Sequence, residues 1–261
     1  SVTSSSTDAT YKIGDIVNVQ TVFSEAVTVT TASGTPQLTL ETGTSDRAVS
    51  YSSGSGTDTL VFAYTVQSSD VSSDLDYKGT TSLALNNGTI KDLAGNTATI
   101  TLNDPAAAGT TNSLADSKAI VIDGVLPTIS SVAANAGTKT VTLTMSEAVT
   151  GSPANGDFSV LVGSATNAAT AVSVSGTSVT LTVTNVIAND ATVTVGYTQN
   201  STSSSQMKDT AGNAVATLST AKSVTVTNDA TAPTISSVTS SSTDATYKIG
   251  DIVNVQTVFS E

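Results

Sequence analysis

The chain has no cysteine, no histidine and no tryptophan among its 261 residues. Without Cys there is no disulfide to staple a small domain and no thiolate nucleophile. Without His there is no side chain whose ordinary pKa suits general-base work near neutrality, and the same two absences remove the ligands on which zinc sites depend. An enzyme is therefore the least favoured class. Positive charge is scarce as well: nine Lys and Arg stand against 21 Asp and Glu, for a formal charge of −12. Such a surface repels phosphate backbones and anionic lipid headgroups, which excludes nucleic acid as a partner and favours cations. No run approaches the roughly 20 apolar residues of a membrane-spanning helix, so no direct membrane insertion is expected in this stretch. Aromatic residues make up 4%, little from which to build the stacking platform of a glycan-binding module.

What is abundant is Thr, Ser, Val and Ala, and it is repetitive. Ser1 to Glu25 recurs letter for letter as Ser237 to Glu261. The chain reads as a window on a tandem array, with both ends falling inside one domain. A fainter repeat lies within the first. Pro127-Thr-Ile-Ser-Ser-Val132 matches Pro233-Thr-Ile-Ser-Ser-Val238, Ser24-Glu-Ala-Val-Thr28 matches Ser146-Glu-Ala-Val-Thr150, and Lys91-Asp-Leu-Ala-Gly-Asn96 matches Lys208-Asp-Thr-Ala-Gly-Asn213. Each period is thus two related domains. Boundaries are expected where Pro127 and Pro233 interrupt strand pairing: a domain over 1–123 whose first strand is truncated, a second over 124–229, and the first two strands of a further copy over 230–261.

Between these phrases the apolar residues alternate, as in Val17, Val19; Leu60, Phe62, Tyr64, Val66; Val141, Leu143, Met145; and Val179, Leu181, Val183. Period two with Thr or Ser outward is the mark of half-buried antiparallel strands, and turn clusters such as Ser52-Ser-Gly-Ser-Gly56 come at hairpin spacing. The pattern predicts an all-β chain of tandem immunoglobulin-like antiparallel sandwiches, about seven strands each, in a linear array. The Ala/Gly/Thr-rich stretch over 103–116 leaves the last strand of the first domain open.

The phrases PTISSV, FSEAV or MSEAV, and KDxAGN, with an Asp a few residues before the Pro, resemble the bacterial immunoglobulin-like repeats of giant cell-surface proteins. Those include extender regions of RTX-type adhesins and a cyanobacterial surface motility protein. The resemblance spans nearly the whole chain and implies an extracellular or cell-surface location.

Strand parity brings acidic residues together. If strand B runs up from the first turn, it leaves Glu25 or Glu147 at the top of its domain. The F–G turn with Asp92 or Asp209 lies at the same end, and the linker Asp123 enters there. Asp123, Glu147 and Asp209 should then meet at one interdomain corner, where like charges repel unless a cation sits among them. Ca²⁺ accepts oxygen ligands in flexible geometry, with Asn213 and the Gly-rich turn as further donors. The corresponding residues at the other junctions are Glu25, Asp92, Asp229 and Glu261. Asp70, Asp74, Asp76 and Asp190 form a weaker acidic set in the E–F loops. The alternative is turn structure alone: an Asp in D-x-A-G-N caps its own turn, and Asp70 to Asp76 belong to a tyrosine corner around Tyr77.

The expected function is that of a structural extender or stalk repeat, its partners the neighbouring repeats of the same chain, with interdomain calcium stiffening the array. A self-assembling fibre, sheath or surface layer with lateral self-association is the alternative, and a glycan-binding module the second.

Overall fold

The computed structural model describes residues 1–107, 112–226 and 233–260. It is all-β apart from single helical turns, as the period-two pattern predicts. The first domain opens with β1 (Val2–Ser4), β2 (Ala9–Lys12) and the long β3 (Ile16–Thr30). Next come β4 (Gln37–Glu41), β5 (Arg47–Ser53) and β6 (Thr57–Thr65). Four short strands follow, β7 (Val71–Ser72), β8 (Asp76–Tyr77), β9 (Leu83–Ala84) and β10 (Thr89–Asp92). The domain closes with the one-turn helix α1 (Leu114–Ser117) and β11 (Ile120–Asp123).

Two features depart from the seven-strand expectation. The order β1-β3-β6-β5-β4-β8 is continuous, because β5 pairs with β4 from Arg47 to Ser50 and with β6 at Tyr51 and Ser53, with a register shift between those two residues. A strand that changes sheet at a bulge is one way in which a sandwich turns a corner. The remaining sheet, β2-β11-β7, carries a parallel pair, β2 on β11. The second departure concerns Glu25, which does not end a strand. The pairing of β3 with β6 shifts register between Val22 and Val27, after which β3 continues on β10, with Val27 opposite Asp92. Val27 and Val29 extend the alternation past Glu25, and Val27 is buried in the core, so the chain has reason to stay extended.

The second domain contains β12 (Ile129–Ala134), β13 (Thr140–Met145), β14 (Phe158–Val162) and β15 (Ala165–Thr166). It is completed by β16 (Ala169–Ser175), β17 (Ser178–Val183), β18 (Thr192–Tyr197) and β19 (Lys222–Thr225). Its sheets are β12-β13-β17-β16 and β15-β14-β18-β19. This is the A-B-E-D over C-F-G arrangement of an immunoglobulin-type sandwich, with a short extra strand beside C. Each domain has its own core: one cluster draws on residues between Val2 and Ile122, the other on residues between Ile129 and Val226.

The last described segment is a hairpin of β20 (Ile235–Ser240) and β21 (Val255–Phe259). Val238 pairs with Thr257 as Val2 pairs with Thr21 in the first domain, so the same sequence adopts the same register twice. Without a facing sheet its apolar side is bare: Val238 is 63% exposed where Val2 is 1%.

Separate cores predict separate losses. Leu181→Ala removes a fully buried side chain of the second core and should cost that domain about 3 kcal/mol through lost transfer energy and the cavity left behind. Differential scanning calorimetry should show one transition lowered and the first domain's transition unmoved.

Candidate metal centre at the domain junction

Three chain segments build the junction. The first is the linker. β11 pairs antiparallel with β7, Asp123 opposite Val71, and the next residue seats on the loop before β7. The Gly124 N–H donates to the Asp70 carbonyl at 2.7 Å, and the Gly124 carbonyl accepts from Ser69 N at 2.8 Å. A Cβ on Gly124 would lie 2.3 Å from the Gln67 carbonyl oxygen, so only glycine allows this approach. The loop is itself fixed by Asp70, 1% exposed, whose carboxylate accepts from Arg47 at 2.6 Å, Tyr64 OH at 2.6 Å and Gln67 N at 3.0 Å. A buried charge is tolerable because it is paired and hydrogen-bonded. Burial, together with the hydrogen bond to Asp70, pushes the Tyr64 phenol well above its ordinary pKa.

The second segment follows β13. Ser146 N donates to the Thr128 carbonyl at 2.8 Å, and Thr128 N donates to Ser146 Oγ at 2.9 Å. This clasp ties the start of the second domain to the end of β13 and sets Glu147 beside the linker. The third is the connection between β18 and β19. Lys208 and Thr150 exchange backbone hydrogen bonds at 2.9 and 2.8 Å, which draws Asp209 to the same place. The Asp209 carboxylate accepts from Gly212 N at 2.7 Å, Asn213 N at 2.8 Å and Asn213 Nδ2 at 2.9 Å, a turn that closes on its own backbone with Gly212 at φ 99°.

The outcome is a cluster in which Asp123, Glu147 and Asp209 each present a carboxylate oxygen within 4.8 Å of the others. Asp209 is 4% exposed. Desolvation, followed by the charges of Asp209 and Asp123, raises the Glu147 carboxyl above its ordinary pKa. The Lys12 side chain of the first domain passes close to Gly212 of that turn, and its ammonium is held at 2.6 Å by Asp15.

Asn213 has a role that its motif does not advertise. Its Oδ1 accepts from Ile13 N of the first domain at 3.0 Å, and its Nδ2 donates to the Asp123 carbonyl at 2.8 Å as well as to Asp209. It is a clamp between domains, and its amide oxygen is engaged by Ile13 rather than turned to the carboxylates. Ile13, Gly124 and Arg47 also carry the junction and were outside the acidic pattern. Only Gly124, placed directly after the linker Asp, left a trace in the sequence.

The other acidic candidates are dispersed. Glu25 and Asp92 share a cavity of about 440 Å³ with Asn96 at the far end of the first domain. There the Asn96 amide and backbone hold the Asp92 carboxyl below its ordinary pKa. Asp76 accepts from Leu114 N at 3.0 Å and Ala115 N at 3.4 Å, so it caps α1. Tyr77 bonds a backbone carbonyl, that of Asn103, which lies downstream rather than a few residues upstream. The Asp74 carboxyl is raised, chiefly by burial, and Asp190 occupies a turn at φ 57°. Asp229 and Glu261 lie outside the described residues.

Residues 150–202 match a repeat family described as "Putative flagellar system-associated repeat". The match runs from just after Glu147 to just before Asp209 and includes neither. No curated protein sequence matches the chain. Among solved structures, the chain is similar to the N-terminal part of the bacterial S-layer protein SbsC, at 22% identity and a TM-score of 0.33, over 44% of this chain and 26% of that one. The aligned part thus spans about a quarter of that structure. Among the described residues no helix is long and apolar enough to cross a membrane.

Gly124→Ala tests the linker seat. The added methyl meets backbone rather than a movable side chain and should cost about 1–3 kcal/mol by overpacking. Urea denaturation followed by Tyr fluorescence should show the loss, and amide exchange should accelerate at Ser69 and Gly124.

Proposed function

We propose that this chain is a structural repeat of a bacterial surface protein, an extender in which paired sandwich domains are held in line by a divalent cation at the junction. The observation that carries the reading is the meeting of linker Asp123 with Glu147 and Asp209 of the next domain. Their spread suits calcium: ligand oxygens about 2.4 Å from a Ca²⁺ stand at most about 4.8 Å apart across it. Asp123, Glu147 and Asp209 would hold the ion, and backbone carbonyls or water would complete its shell. Zinc has no His or Cys to bind. The raised Glu147 carboxyl fits the same picture, since a cation would offset both the desolvation and the neighbouring carboxylate charges that raise it. Repetition, the match to a flagellar system-associated repeat and the lack of any His or Cys favour a structural role at the cell surface over catalysis.

Linkage makes the reading measurable. An ion that binds the folded junction and not the unfolded chain stabilises by mass action, so Tm should climb steadily with free calcium. Without calcium, Glu147 works the other way. Its folded pKa lies above its unfolded value, so in that window the native state binds more protons, and stability falls as pH rises through it. Glu147→Gln should therefore flatten the pH dependence just above the ordinary glutamate range and leave the calcium-free protein no less stable at neutral pH. The same variant should lose most of the calcium-induced rise in Tm. Identical melts of the wild type in millimolar calcium and in excess EGTA would overturn the calcium reading.

A further inference from the structure

The Lys-Asp-x-Ala-Gly-Asn turn occurs twice, and among the described residues the second copy bonds to another domain. In the second domain Asn213 is 3% exposed, its amide shared among Asp209, the Asp123 carbonyl and Ile13 N. In the first domain the same turn has the same internal bonds. Asn96 N donates to Asp92 Oδ1 at 2.8 Å, Asn96 Nδ2 donates to Asp92 Oδ2 at 2.7 Å, and Gly95 has φ 96° against 99° at Gly212. Yet Asn96 is exposed, and among the described residues its amide oxygen accepts no hydrogen bond. The turn is preformed; what differs is that Asn96 is exposed where Asn213 is buried.

We infer that the corner made by Glu25, Asp92 and Asn96 is the seat for a preceding copy of this chain, occupied by the linker segment that ends at Pro233. The inference rests on the tandem-repeat reading above. Asn96 would donate to the main-chain carbonyl at Asp229 of that copy as Asn213 donates to the Asp123 carbonyl. The Asp229 carboxylate would join Glu25 and Asp92 as Asp123 joins Glu147 and Asp209.

Two observations name this occupant rather than some other peptide. The first is sequence. Pro233 leads directly into Ser237–Glu261, which is Ser1–Glu25 repeated, so the linker and the strand bearing the Glu25 position belong to one continuous stretch. The second is local geometry. In the β20–β21 hairpin Ser260 N donates to the Thr234 carbonyl at 2.8 Å and Thr234 N donates to Ser260 Oγ at 3.0 Å. This repeats the Thr128–Ser146 clasp of the first junction, and the register shifts between Ile235 and Ser237 as it does between Ile129 and Ser131. The incoming strand thus meets the end of its partner in the arrangement that sets Asp123 beside Glu147. That arrangement forms here with no sandwich behind it. The seat itself, a cavity of about 440 Å³ bordered by Val22, Phe23, Glu25, Asp92 and Asn96, has room for a stretch of main chain.

The test uses a polypeptide carrying two periods, residues 1–236 followed by 1–261, alongside the 261-residue chain. Small-angle scattering in millimolar calcium reads the spread of interdomain angles. In the two-period chain, Asn96→Ala in the second copy should broaden that spread as much as Asn213→Ala in the first copy does. In the 261-residue chain, Asn96→Ala should leave scattering unchanged and lower Tm only by the small loss of its own bond to Asp92, less than in the two-period chain. Broadening by Asn213→Ala with none from Asn96→Ala would overturn the inference while leaving the first junction intact. An equal fall in Tm from Asn96→Ala in both polypeptides would overturn it too, since Asn96 would then serve only its own turn. Broadening by neither variant would count against the ordered junction on which both readings stand.

Discussion

A buried amide cannot leave its donors and acceptor idle without cost, and Asn213 meets that demand only when both domains are in place. Its oxygen needs Ile13 from one domain, while its nitrogen needs the linker carbonyl of Asp123 and the turn carboxylate of Asp209. Relative domain motion is the default when an interface is small and polar. A single side chain that bonds to both domains and to the chain between them opposes that default, because any rotation at the linker strands at least one buried polar group. The position of Asp123, and with it the acidic cluster, follows from this clamp and from the seat of Gly124.

The cluster is the counterweight. Two unit charges 4.8 Å apart repel by about 3 kcal/mol at an effective dielectric of 20. Water around the half-buried Asp123 and Glu147 reduces that figure. Even so it is comparable with what a few hydrogen bonds contribute. Amide clamp and carboxylates therefore pull against each other in the bare chain, and the Glu147 carboxyl, raised first by desolvation, is raised further by the charges of Asp209 and Asp123.

Much of this was legible in the sequence. Alternation fixed the faces of the long strands because register follows the buried side, and Val17, Val19, Leu60, Phe62, Val141, Leu143 and Leu181 are all fully buried. Strand parity brought Asp123, Glu147 and Asp209 to one corner. What it could not supply were pairings that depend on distant partners. Ala9 to Lys12 form β2 against β11, whereas their copies, Ala245 to Lys248, are not a strand in the isolated hairpin. Identical residues thus differ by tertiary context alone. The same holds for Asp70. In sequence it is one more acidic residue in a loop; in the fold it anchors the linker seat through Arg47 and Tyr64, and nothing in the spacing of Arg47 and Asp70 announces their meeting. Asn213 was singled out for its oxygen, but its donors proved as important.

The seat of Gly124 also sets how the chain leaves the first domain. No side chain fits where Gly124 crosses the loop before β7. Any larger residue would have to lift the linker from that loop and part the two backbone hydrogen bonds to Ser69 and Asp70. The exit direction of the first domain is thus written in a single missing methyl group.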